Sequence, residues 1–203
     1  MDDLRTAGLT IDGLLPEGPV VQLRDAQTAA APVLIANSGD RPTDITVTTF
    51  GVPSQPEPAG GNGYAIERIY TTTEGASVDL ANVPVGTRLV TILTVRPFGR
   101  QEARLMVNDP LPAGFEIDNP NLLQGGDIDA LDWLRTVRAE NAEFRSDRFL
   151  AAVDWRSDEP FRLAYIVRAV SPGQFHHPAA LVEDMYRPQM RAHTDASRVI
   201  ITP

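Results

Sequence analysis

The feature that most constrains this chain is a series of short runs rich in β-branched residues, each closed off by turn chemistry. RLVTILTV at 88–95 is the strongest of them. Branching at Cβ restricts χ1 against a helical turn but packs well on a pleated surface, so such a run favours a strand. The runs VVQL at 20–23, PVLIA at 32–36 and ITVTTF at 45–50 read the same way, as do YAIERIY at 64–70 and RLMV at 104–107. NSGDRP at 37–42 supplies a position with φ > 0 and then a proline, which predicts a hairpin between the second and third runs. Further on, FLAAV at 149–153 and the stretch 161–170 are expected to form a strand pair around the turn SDEP at 157–160, and SRVII at 197–201 a closing strand. Strands at such close intervals predict an all-β chain built as a β-sandwich.

Two features interrupt this pattern. Residues 51–63 carry Pro53, Pro56 and Pro58 and end in GGNG, and both residue types oppose a ladder: proline lacks the donor, glycine loses most entropy on ordering. A linker is therefore expected at 53–63, between a smaller, partial β-domain at 1–52 and a larger sandwich at 64–203. The second feature follows Asp127, a candidate N-cap, where Ile128, Leu131, Leu134 and Val137 recur at helical spacing beside Trp133. One inserted helix is expected at about 127–140.

Composition narrows the function. The net charge is −9, which opposes binding to the phosphates of a nucleic acid, and all 18 basic residues are arginine. There is no cysteine, so this chain holds no thiol nucleophile, thiolate metal site or disulfide. No apolar run approaches the roughly 20 residues of a spanning helix, and no contact of this chain with a membrane is expected. The start, MDDLR, is acidic and lacks an apolar core region, so it is not expected to act as a signal peptide, and the chain reads as a fragment.

Candidate chemistry is sparse. The three histidines are His176, His177 and His193, with Glu183 and Asp184 nearby. Neighbours on a strand point to opposite sides, and three or four convergent ligands are not evident, so no metal is expected. Ser171 and His176 lack the context of an activated nucleophile. The carboxylate pairs Asp127/Asp129 and Asp158/Glu159 sit at turn or cap positions, where solvation explains them. GGNG precedes a strand, the wrong setting for cradling phosphate. No catalytic residue, cofactor or cofactor-binding residue is expected. One segment stands out: PGQFHHP at 172–178 followed by AALVEDMYRP at 179–188, which places Met185 beside Tyr186. A polarizable thioether next to an aromatic ring suits covering a neighbouring surface, or filling the edge of its own core.

Several segments, in order, resemble the bacterial α2-macroglobulins. DPLPAGFEIDNPNL at 109–122 is similar to the family's DLLPAGFEIENPNL, and RSDRFLAAV at 145–153 to its RDDRFVAA. LAYIVRAVSPG at 163–173 with VEDMYRP at 182–188 is the nearest match; IANSGDRP at 35–42 and GYAIERIY at 63–70 are similar too. The resemblance implies the C-terminal region of an endopeptidase inhibitor that traps proteases of many classes, and not an enzyme. In such proteins a protease cuts a bait region and a Cys–Gln thioester reacts with an amine on the attacker. By resemblance, 64–203 is the last macroglobulin-like domain and 1–52 holds CUB-type strands returning from the thioester domain. Met185 and Tyr186 fall where the family presses a Met and a Tyr over the thioester. The implied partners are the thioester domain of the same polypeptide and, through the whole protein, target proteases. The implied location is the periplasm, with an N-terminal lipid anchor on the inner membrane. The competing readings are a secreted or surface β-sandwich used for adhesion and a carbohydrate-binding module; two Trp and four Tyr in the whole chain oppose the latter.

Overall fold

The computed structural model describes residues 8–15, 32–40, 42–48, 50–51, 55–99, 102–118 and 134–203. It divides into two compact units, Met1–Val52 and Pro53–Pro203.

In the first unit, β1 (Leu9–Ile11) and β2 (Ile35–Asn37) pair antiparallel, with Leu9 opposite Asn37 and Ile11 opposite Ile35. The chain leaves β1 through Asp12 and Gly13, both at positive φ (52° and 80°). Asp12 fixes the bend by accepting the Leu34 N–H at 2.9 Å while its own N–H donates to the Leu34 carbonyl at 2.8 Å. The hairpin expected between 32–36 and 45–50 does not form: β2 pairs upstream, and residues 42–48 carry no strand. The run at 20–23 lies outside the described residues.

The second unit is built from thirteen strands among the described residues: β3 (Gly60–Asn62), β4 (Tyr64–Thr71), β5 (Val83–Pro84), β6 (Arg88–Pro97), β7 (Ala103–Pro110), β8 (Phe115–Ile117), β9 (Asn141–Phe144), β10 (Arg148–Trp155), β11 (Phe161–Ala169), β12 (Gly173–His177), β13 (Leu181–Asp184), β14 (Arg187–His193) and β15 (Ser197–Thr202). One sheet runs β3-β14-β13-β7-β10-β9, a second β4-β6-β11-β8, and a small third β12-β15-β5. The burial alternation of β7 and β10 puts Leu105, Val107, Phe149, Ala151 and Val153 on the inner face of the first sheet. Ile66, Leu89, Leu93, Val95, Leu163, Tyr165 and Val167 answer from the second, and Val83, Val199 and Ile201 from the third. This is a β-sandwich, with the two inner faces interdigitating. Phe149 stacks on Tyr165 across it at a ring separation of 4.6 Å.

Three expectations need correction. Gly60–Asn62, inside the stretch read as linker, forms an edge strand on β14, where a Cβ at Gly61 would stand 2.3 Å from the Tyr64 carbonyl and 2.6 Å from Ala192. The strands β10 and β11 do form, but they do not pair. The turn between them crosses from the first sheet to the second, where β11 lies between β6 and β8. No helix occurs among the described residues: 127–133 lie outside them, and 134–139 run without regular structure. Leu134 and Val137 still find apolar partners, Leu134 beside Val90, Ile92 and Ile166 on the outer face of the second sheet and Val137 on the main core. The Val137 N–H donates to Arg162 and the Glu140 N–H to Ala152, so this segment steps from one sheet to the other.

Candidate functional site

Two charged residues sit on faces that are otherwise apolar. Strand period 2 places Arg68 on the same face as Ile66 and Tyr70, and Asp109 on the face of Leu105 and Val107. The two meet inside the sandwich: Arg68 donates to Asp109 at 2.5 Å, with side chains 4% and 0% exposed, and to the Pro178 carbonyl at 2.8 Å. The Tyr165 hydroxyl donates to the other Asp109 oxygen at 2.7 Å. Burial pushes the Asp109 carboxyl above its usual range, against the pull of Arg68 and Tyr165. Burial likewise raises Tyr70 and Tyr165.

Beside this pair, His177 is buried. Its Nε2 lies 2.9 Å from the Tyr70 hydroxyl, and its Nδ1 lies 3.2 Å from Ser197 Oγ. A serine beside a histidine invites a catalytic reading, but the imidazole is too weak a base for it. Burial, then the neighbouring positive charge of Arg68, then His176, lower its pKa to about 3, whereas a general base works best near the operating pH. The arrangement ties β4, β12 and β15 together and holds the histidine neutral.

The other polar candidates disperse. His176 is exposed on β12, on the opposite side from His177, and pairs in register with Arg198. His193 faces Glu57 at 3.8 Å. Among the described residues no three His, Cys, Asp or Glu side chains gather around a common metal position. Ser171 is exposed ahead of β12, and Glu159 belongs to a turn in which its N–H donates to Ser157 Oγ. Asp127, Asp129 and Trp133 lie outside the described residues.

Met185 and Tyr186 form the two-residue turn between β13 and β14. Their side chains stand 48% and 77% exposed, so neither fills the core. Asp184, almost fully buried, holds the turn from beneath. Its Oδ1 accepts the Tyr186 N–H at 2.9 Å and the Arg187 N–H at 3.2 Å, an Asx turn. Its Oδ2 accepts Arg187 Nε at 2.7 Å and lies 2.6 Å from Nη2. Two bonds tie the turn to β7 and its lead-in: Met185 N–H to the Arg104 carbonyl at 2.9 Å, and Arg187 Nη2 to the Glu102 carbonyl at 3.2 Å. Past the turn the register between β13 and β14 shifts, from Asp184 opposite Arg187 to Glu183 opposite Arg191, leaving Pro188 in the irregular stretch, where its missing donor costs nothing. Around Tyr186 lies a shallow groove of about 280 Å³ lined by Glu102, Arg104, Asp154 and Arg156, whose exposed ion pairs (Arg156–Glu102 at 2.9 Å, Arg104–Asp154 at 3.5 Å) form a polar rim. An apolar tip on a braced turn inside a polar rim has the layout of a contact surface.

Residues 63–189 match the family described as the bacterial alpha-2-macroglobulin MG10 domain. The chain is 36% identical over 177 residues to the alpha-2-macroglobulin of Escherichia coli strain K12, covering 82% of this chain and 11% of that protein. It is 31% identical over 186 residues to the alpha-2-macroglobulin of Xylella fastidiosa strain Temecula1, covering 88% and 11%. It thus spans about a tenth of the length of these relatives. Among solved structures, native Escherichia coli alpha-2-macroglobulin from domain MG7 to the C-terminus superposes with a TM-score of 0.67 at 34% identity, covering 75% of this chain and 25% of that one. Salmonella alpha-2-macroglobulin reacted with methylamine gives 0.67 at 35% identity, covering 75% and 10%.

Proposed function

The chain belongs to the bacterial α2-macroglobulin family through an MG10 domain, and from that premise we propose that it works as the C-terminal cover of a thioester within a larger protease-trapping inhibitor. The observation that carries this reading is the turn itself: a methionine and a tyrosine stand clear of the sandwich on a two-residue turn that is hydrogen-bonded from below. The thioester needs a cysteine, which this chain lacks, so the electrophile belongs to another part of the polypeptide. A strained thioester is lost to hydrolysis wherever water reaches it, and an apolar cover replaces water with packing. Burying one such side chain against a partner domain contributes roughly 1.5–3 kcal/mol. The chain's own share of the work is non-catalytic, in keeping with a His177 too weakly basic to activate Ser197. The whole inhibitor would act in the periplasm, anchored by an N-terminal lipid, with proteases meeting its bait region and thioester domain and not this sandwich.

The test is the reactivity of the intact inhibitor toward methylamine. Met185→Ala with Tyr186→Ala removes the cover, and even 1.4 kcal/mol of lost shielding speeds the reaction about tenfold. A rate equal to that of the unmodified inhibitor overturns the reading.

A further inference from the structure

We propose that Asp184 and Arg187 are positioning residues for the Met185–Tyr186 cover, setting its efficiency without touching the thioester; this rests on the reading of the turn as that cover. Two exposed side chains shield an electrophile only if the backbone beneath them holds one conformation, since a two-residue turn free to sample several leaves the site intermittently open. Asp184 supplies that restraint. Its side chain is 1% exposed, and its two oxygens receive two backbone N–H groups from the turn and the fork of Arg187. Arg187 extends the restraint outward by donating to the Glu102 carbonyl ahead of β7, so the turn is fixed against a neighbouring strand and not only within its own hairpin. Hydrogen bonds to an ionised carboxylate are the stronger kind, and the planar fork adds orientation that a lysine lacks. The apolar packing of β13 comes from Val182, and that of β14 from Ala192 and Met190.

The experiment compares four intact inhibitors for their rate with methylamine: unmodified, Asp184→Ala, Met185→Ala/Tyr186→Ala, and the combined triple variant. Asp184→Ala is expected to react roughly threefold to tenfold faster than the unmodified protein, and the triple variant no faster than the double, since a residue that acts through the cover has no effect once the cover is gone. Arg187→Lys is expected to give a smaller acceleration in the same direction. A fast double variant with Asp184→Ala unchanged overturns the positioning role and leaves the cover intact as a reading. A triple variant faster than the double, by the factor seen for Asp184→Ala alone, also overturns it, because Asp184 then acts on the domain as a whole. An unaccelerated double variant overturns both. Should Asp184→Ala prevent assembly of the intact protein, hydrogen exchange on this chain decides: the Tyr186 and Arg187 amides are expected to exchange faster in Asp184→Ala while Ala192 stays protected, and unchanged Tyr186 and Arg187 amides refute the restraint.

Discussion

Replacing Arg68 with alanine strands Asp109 inside the sandwich. In the intact chain Arg68 joins Asp109 at 2.5 Å and the Pro178 carbonyl at 2.8 Å, and the carboxylate is fully enclosed. After the replacement only the Tyr165 hydroxyl, at 2.7 Å, still serves that charge. Breaking a buried pair by removing one partner costs about 3–5 kcal/mol, most of it the uncompensated charge. Against a typical total of about 5–15 kcal/mol for a domain, this is a large share. In urea the cost appears as a fall in midpoint of on the order of 1–3 M with an unchanged slope. The loss also depends on pH. Burial already pushes the Asp109 carboxyl up, and without Arg68 this effect is unopposed by its largest favourable charge. A carboxyl raised in the folded state binds more protons there than in the unfolded chain. The penalty is therefore smallest below its unfolded value and grows as pH rises through the folded one. A pair made apolar, Arg68→Met with Asp109→Leu, is expected to lose less than Arg68→Ala alone, because no charge is left behind. Arg68→Ala within about 1 kcal/mol of the parent, or a double variant as unstable as the single, would refute this account of the core.

Two further outcomes are expected. His177 is held neutral, with a pKa of about 3 against an ordinary value of 6.5, so the unfolded chain binds the extra proton between those limits and stability falls as pH drops from 6.5 toward 3. The full gap sets a ceiling of about 4–5 kcal/mol; His177→Gln should flatten the pH dependence over that window, and parallel profiles for the two proteins would contradict it. In the isolated chain, Met185→Ala with Tyr186→Ala should shift unfolding by less than about 0.5 kcal/mol, since both side chains are exposed. A large loss in a urea titration would make the pair structural.

The sequence made some of this fold legible and hid the rest for physical reasons. Alternation and branching identify β4, β6, β10, β11 and β15, because each buries one face or two against fixed neighbours. Pairing is harder, since it depends on chain that is distant in sequence. Leu9–Ile11 finds Ile35–Asn37 across more than twenty residues, and the turn chemistry at 37–42 gives no sign of it. The SDEP turn at 157–160 fits a hairpin as well as an arch between sheets, and only the packing of β10 and β11 on opposite faces of the core decides for the arch. Leu134 and Val137, three residues apart, fit a helix on paper and an extended crossover in fact. The buried ion pair has a sequence signature: Arg68 in the period-2 set of Tyr64, Ile66 and Tyr70, and Asp109 in that of Leu105 and Val107, two opposite charges on apolar faces. The burial of His177 has no clear sequence signature, because Pro172 and Pro178 mask the strand between them. The type and setting of Met185 and Tyr186 fit a cover and a core edge alike; their exposure, and the Asp184 brace beneath them, need coordinates.

The most direct measurement is oxidative footprinting of Met185 and Tyr186 in the intact inhibitor, before and after its reaction with methylamine. A thioether is readily converted to its sulfoxide where reagent reaches it, and in this chain alone both side chains lie open, at 48% and 77% exposure. The account predicts that both are protected in the native inhibitor, and that modification rises toward the level of the isolated chain once the thioester has reacted and its domain has moved away. Equal modification of Met185 and Tyr186 in the native inhibitor and in the isolated chain would contradict the claim that they cover the thioester.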